Sequence, residues 1–139
     1  MWILGGVNND VYPYPKYNDV WYSSDGIHWT SATLSAAWAP RCVHASVVHD
    51  GRIWVIGGIV SNHPFNNDVW HSSDGVHWTS ATLSAAWPPR AGQSAVVYSN
   101  KIWVMGGLIG NVPRCSAIND VWYSPGFYSA SVRSWRLYP

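Results

Sequence analysis

An all-β fold is what this sequence predicts, on three observations. The first is composition: the chain has no Glu, two Lys and five Leu, so good helix formers are scarce, while eleven Trp and eight Tyr supply large rings that suit strands. The second is an apolar run ending in two glycines that occurs three times, as Trp2-Ile3-Leu4-Gly5-Gly6, Trp54-Val55-Ile56-Gly57-Gly58 and Trp103-Val104-Met105-Gly106-Gly107. The third is near-identity between residues 23–41 and 72–90, which match at 17 of 19 positions at an offset of 49.

A period near fifty residues accommodates four short strands. Within the best-preserved unit, residues 44–49 read as strand 1 and Asp50-Gly51 as a tight turn. Residues 52–56 read as strand 2, and the loop 59–66 leads to strand 3 at 68–72. Asp74-Gly75 marks a second turn before strand 4 at 76–81. The stretch Ala85-Ala86-Trp87-Pro88-Pro89-Arg90 carries the chain to the next unit, its prolines removing ladder donors. The successive apolar residues Trp54, Val55 and Ile56 make both faces of such a sheet apolar. It must therefore stack against like sheets, and radial stacking of antiparallel meanders gives a β-propeller rather than a linear solenoid.

At 139 residues, with 47% hydrophobic side chains, the chain is read as one domain or a fragment of one. Its units are 1–38, lacking strand 1, then 41–87, then 90–139 with a degenerate end. After Ser124 the pattern fails: Gly126, Phe127 and Ala130 stand where Asp74, Gly75 and Trp78 would recur. Residues 127–136 read either as a diverged strand 4 or as a stray strand 1, since Ala130-Ser131-Val132 echoes Ala45-Ser46-Val47. A start at strand 2 favours the second reading.

These residues resemble the kelch repeat. The resemblance rests on the double glycines, the strand-3 aromatics Trp21, Trp70 and Trp122, the strand-4 Trp29 and Trp78, and Arg41 and Arg90 ahead of strand 1. It covers roughly residues 2–124 and implies kelch-type β-propeller blades, about three per chain, each a four-stranded antiparallel meander. Kelch domains commonly have six or seven blades and act as interaction scaffolds. Some are sugar-oxidising or sialic-acid-processing enzymes. The Tyr, His and cross-linked Cys set of the copper oxidases does not map onto this chain. Three blades are too few for a ring, so the sequence is expected to be part of a longer propeller, or to pair with a second copy as a homo-oligomer of about six blades.

The net charge is +1 with no Lys/Arg run, which argues against nucleic acid and against an anionic membrane surface. No apolar stretch reaches membrane-spanning length and no leader pattern opens the chain, leaving the compartment open. Two cysteines, Cys42 and Cys115, set up no disulfide framework, and a single bridge and two free thiols both fit. The His spacings match no compact metal-ligand signature. No cofactor is expected, and no Ser-His-Asp triad stands out from the repeats, which argues against an enzyme.

Strand alternation puts the 2–3 and 4–1 loops at one end of the blades. The 2–3 loops vary between units, and variable loops on a rigid scaffold are the usual home of binding. The candidate binding residues are Tyr12, Tyr14, Tyr17, Asn62, His63, Phe65, Asn111 and Arg114, with Arg41 and Arg90 entering from the 4–1 side. That mixture of aromatics, amides and guanidinium groups is enriched at recognition surfaces, and a protein partner is the leading expectation. A carbohydrate is the alternative, through exposed rings such as Trp38 and Trp87 in the connecting stretches. A truncated remnant without dedicated activity is the third reading. Arg41 and Arg90 also read as braces between blades. Asp25 and Asp74 read as turn residues, and Asp19, Asp68 and Asp120 as caps of the loop backbone.

Overall fold

A computed structural model of the chain describes residues 1–61, 65–111, 114–125 and 134–139. The described residues contain strands and no helix. Blade I is β1 (Trp2–Val7), β2 (Lys16–Tyr22) and β3 (Thr30–Thr33), paired antiparallel in that order. The two-residue β4 (Arg41–Cys42) follows, then blade II with β5 (Ala45–His49), β6 (Arg52–Val60), β7 (Asn66–Ser72) and β8 (Thr79–Thr82). After β9 (Arg90–Ala91), blade III runs through β10 (Ser94–Tyr98), β11 (Lys101–Met105), β14 (Val121–Tyr123) and β15 (Arg136–Leu137). Its 2–3 connection carries a hairpin of its own, β12 (Leu108–Asn111) and β13 (Arg114–Ala117).

The expected meander is therefore present, with strands 2 and 3 of blade II longer than read and strands 1 and 4 shorter. Strand 2 of blade II runs to Val60 instead of stopping at Ile56, because β4 extends the ladder by pairing Arg41 with Val60 and Cys42 with Ile59. The turns between strands 1 and 2 are two residues long, and both residues have positive φ: Asp50 and Gly51 at 51° and 65°, Ser99 and Asn100 at 51° and 57°. That left-handed pair matches the twist of the flanking strands.

The 3–4 connection is longer than a tight turn. Ser72 and Thr79 bound a six-residue loop wound around Asp74, whose Oδ1 accepts the amides of Val76 and His77 at 2.8 Å. Ser72 Oγ accepts the Gly75 amide at 2.8 Å. Blade I repeats this arrangement around Asp25 and Ser23.

Blade II buries both faces, as Trp54-Val55-Ile56 required. Ile53 and Val55 face blade I and pack with Val20, Ala36, Trp38 and Trp78. Trp54 and Ile56 face blade III and pack with Val69, Trp87, Ile102, Val104 and Trp135. Trp38 and Trp87, expected to be the rings most open to a surface role, are each 1% exposed. Each meets a second indole edge to face: Trp38 with Trp78 at 5.7 Å, Trp87 with Trp135 at 6.0 Å. An aromatic pair in this geometry adds about 0.5–1.5 kcal/mol beyond area burial.

That second pair corrects the reading of the C-terminal segment. Trp135 occupies in blade III the place of Trp78 in blade II, and β15 pairs with β14 through Trp122–Leu137 and Tyr123–Arg136. The end of the chain is strand 4 of its own blade and not a strand 1 for blade I. Residues 126–130, where Asp74, Gly75 and Trp78 were sought, and the Ala130-Ser131-Val132 echo lie outside the described residues.

Candidate functional site

Arg41 and Arg90 organise the end of the blades where the variable loops emerge. Each follows a Pro in the connecting stretch and is turned inward by a two-residue strand. The Arg41 guanidinium is 0% exposed and binds Asp68 with both terminal nitrogens, Nη1 to Oδ1 at 2.6 Å and Nη2 to Oδ2 at 2.8 Å. Nη1 also donates to the Gly57 carbonyl, Nε donates to Ala39, and the Trp38 ring lies 5.6 Å away. Arg90 repeats every contact with Asp120, Gly106, Pro88 and Trp87. Arg90 beside it holds the Asp120 carboxyl below the usual carboxylate range.

Fully buried and each bound through four hydrogen bonds, the two arginines hold the connector on its blade and present no surface to a ligand. Asp68 and Asp120 are their counter-ions; their carboxylates bind guanidinium and not the loop backbone as caps. All three members of that series, Asp19 included, also accept from the indole two residues on: Trp21 Nε1 to Asp19 at 2.7 Å, Trp70 Nε1 to Asp68 at 2.7 Å and Trp122 Nε1 to Asp120 at 2.6 Å. The connectors are tied down a second time. Asn18 Nδ2 donates to the carbonyls of Ala36 and Trp38, and Asn67 Nδ2 to those of Ala85 and Trp87.

On this frame the loop residues divide. Tyr12 and Tyr14 are 84% and 50% exposed and meet edge to face at 5.8 Å, with Tyr17 also exposed. Their loop is closed by its own bonds: Asn8 N–H to Pro15 O at 3.0 Å, Tyr14 N–H to Val11 O at 2.7 Å, and Asp10 N–H to Asn8 Oδ1 at 2.9 Å. Phe65 is buried, an anchor for its loop and not a contact surface. Arg114 is exposed at the start of β13, opposite Asn111 at the end of β12. Asn62 and His63 lie outside the described residues. Exposed Val11 and Val43 were not singled out from the sequence; their signal was an apolar side chain inside a polar, proline-rich or capping stretch.

Two chemical possibilities raised by the residue types can be judged from geometry. Ser23, Asp25 and His28 are adjacent, and again Ser72, Asp74 and His77, but in the wrong order for a nucleophile. The Ser hydroxyl donates to the carboxylate at 3.0 Å, and the carboxylate, not the hydroxyl, meets His Nδ1, at 2.7 and 2.8 Å. Those imidazole contacts, with backbone donors behind them, hold both Asp carboxyls well below the usual range. The cluster is a loop lock, repeated because the loop is repeated.

Among the described residues no group of three or more His, Cys, Asp or Glu is arranged to hold a metal ion. Cys42 is buried, Cys115 is exposed, and both are free thiols. Burial pushes the Cys42 thiol up. A cleft of about 420 Å³ opens beside β1, lined by Met1, Trp2, Leu4, Ser46, Val47, Val48 and Ile53. Ser46 supplies a hydroxyl, and no side-chain acid or base stands beside it in this lining. The cleft marks the place that a strand 1 would take in blade I.

A family model for the kelch motif matches residues 40–71 and 89–123. The solved structure of YjhT aligns with 99% of this chain at a TM-score of 0.74 and 17% identity, a likeness of fold alone. The chain spans 48% of the length of that structure. No curated protein sequence matches it.

Proposed function

Since this chain is an array of kelch-repeat propeller blades, we propose that it is a non-catalytic scaffold that binds a protein partner through the loops joining strands 2 and 3. The observation that carries this reading is the contrast between the two ends of the blades. The 1–2 turns are two-residue reversals of one type, whereas the 2–3 connections differ in every unit: a Tyr-rich loop in blade I and a β-hairpin in blade III. Tyr12 and Tyr14 are rigid, amphipathic rings on a loop closed by its own hydrogen bonds, so ordering them at an interface costs little. Tyr17 and Arg114 add exposed hydrogen-bonding groups, and Arg in particular is enriched at the centres of protein interfaces. The frame beneath is held by the buried Arg41–Asp68 and Arg90–Asp120 pairs.

The immobilised chain tests this beside a Tyr12→Ser/Tyr14→Ser/Arg114→Ser variant. The partner captured by the parent is expected to be lost by the variant while both unfold at the same denaturant concentration. A partner retained undiminished by the triple variant overturns the loop-face reading.

A further inference from the structure

The two outer blade faces are the two halves of an interface that the molecule already builds twice. Between blades I and II, Trp2, Leu4 and Val20 of one blade meet Ile53, Val55 and Trp78 of the next. Between blades II and III, Trp54, Ile56 and Val69 meet Ile102, Val104 and Trp135. The repeat assigns the same two sets of positions to the outer faces. Blade III carries Trp103, Met105 and Val121 where blade II has Trp54, Ile56 and Val69, with Met105 paired to Val121 as Ile56 is to Val69. Blade I carries Met1, Ile3 and Trp29 where blade II has Ile53, Val55 and Trp78.

Exposure shows that these positions lack the cover their counterparts have. Ile3 is 47% exposed where Val55 is 0%, and Met1 is 72% exposed where Ile53 is 5%. In β11 the burial alternates: Ile102 and Val104 are buried against blade II, while Trp103 and Met105 remain half-exposed. Trp103 is flanked by Tyr123 and Tyr138 at 5.1 and 5.6 Å, as Trp54 is by His71 at 4.9 Å. A contiguous apolar surface of this kind, left in water, marks an interaction site.

We propose that the blade III face of one chain docks on the blade I face of a second copy, and that the two copies close head to tail into one ring. The occupant follows from complementarity: what blade I's outer face fits is the strand-2 and strand-3 surface that covers its equivalent in blade II, and this chain displays that surface on blade III. A head-to-tail contact forms a ring when the rotation closes. The chain fits 48% of the YjhT structure at a TM-score of 0.74, so two copies account for nearly all of such a fold. This inference does not depend on what the loops bind.

Sedimentation equilibrium of the full chain at micromolar concentration reads the result directly. A mass twice the 15.5 kDa of one chain is expected; a mass of one chain, or of more than two, overturns the closed pair. Ile3→Lys and Met105→Lys each damage one side of both contacts, so each variant alone is expected to sediment at half the parent's mass. Mixed in equal amounts, they retain one undamaged contact, Met105→Lys supplying blade I and Ile3→Lys supplying blade III, and dimer is expected to return. Failure of the mixture to associate overturns the head-to-tail arrangement. Near-ultraviolet circular dichroism of the many Trp residues checks that each variant is folded. If either lysine variant loses that signal, Ile3→Ser and Met105→Ser take its place, with the same outcomes required.

Discussion

Arg41 and Asp68, 27 residues apart, form a bidentate ion pair whose guanidinium is fully buried, at 2.6 and 2.8 Å. It joins the connector leaving blade I to the third strand of blade II. Removing either partner leaves the other charge buried without its counter-ion, which costs about 3–5 kcal/mol. Arg41→Met and Asp68→Asn are each expected to lower stability by roughly that amount in urea unfolding. The double variant is expected to lose much less than the sum, because it leaves no charge behind.

Gly26 and Gly75 offer a matched pair. Both sit at φ +77° in the equivalent 3–4 loops of blades I and II, so Ala at either pays the left-handed backbone cost of about 1 kcal/mol. A Cβ at Gly26 would meet only Met1 Cε at 3.6 Å, whereas at Gly75 it would lie 2.5 Å from Trp2 Cζ3 of the neighbouring blade. Gly75→Ala is therefore expected to cost a further 1–3 kcal/mol or so by overpacking. The difference between the two midpoints of denaturation measures the contact between blades I and II.

Trp135 is 4% exposed and completes the II–III core against Trp87. Trp135→Ala is expected to destabilise by about 3–5 kcal/mol. A Trp on a detached tail would give almost no change in the same chemical unfolding experiment.

His44 gives the fold a pH dependence. Burial, followed by the charge of Arg41, pushes its imidazole down to about 4 against a smaller opposing effect of Asp68. Its Nδ1 has no hydrogen-bond partner among the described residues. The unfolded chain binds this proton near pH 6.5 and the folded chain only near 4. Stability therefore is full above 6.5 and falls as the pH drops from 6.5 to 4, by up to roughly 3 kcal/mol from this group. His44→Gln, which introduces the residue found at the equivalent position 93, is expected to flatten the urea midpoint across that window.

How far the sequence could be read differs from residue to residue. The three double-glycine strands and the 17-of-19 match placed the blades, since an apolar strand followed by a special backbone position is a local signal. Strand 4 of blade III was only one of two readings of the C-terminal segment, because Trp122 and Trp135 stand 13 residues apart where Trp70 and Trp78 stand 8 apart. An insertion erases register in a sequence but not pairing in a sheet. In the candidate site, Tyr12 and Tyr14 were legible as loop residues, while Phe65 looked identical to them in type and proved to be an anchor.

The sequence by itself determined that there would be blades, how many, and that each would be apolar on both faces, because repetition, strand periodicity and two-residue turns are properties of short stretches of chain. Only the tertiary structure decided which aromatics became core and which stayed outside, and that each repeated Arg would find the repeated Asp of the blade after it. Those outcomes depend on residues dozens of positions apart meeting in space. Burial and charge pairing are set by that meeting, and no local pattern encodes it.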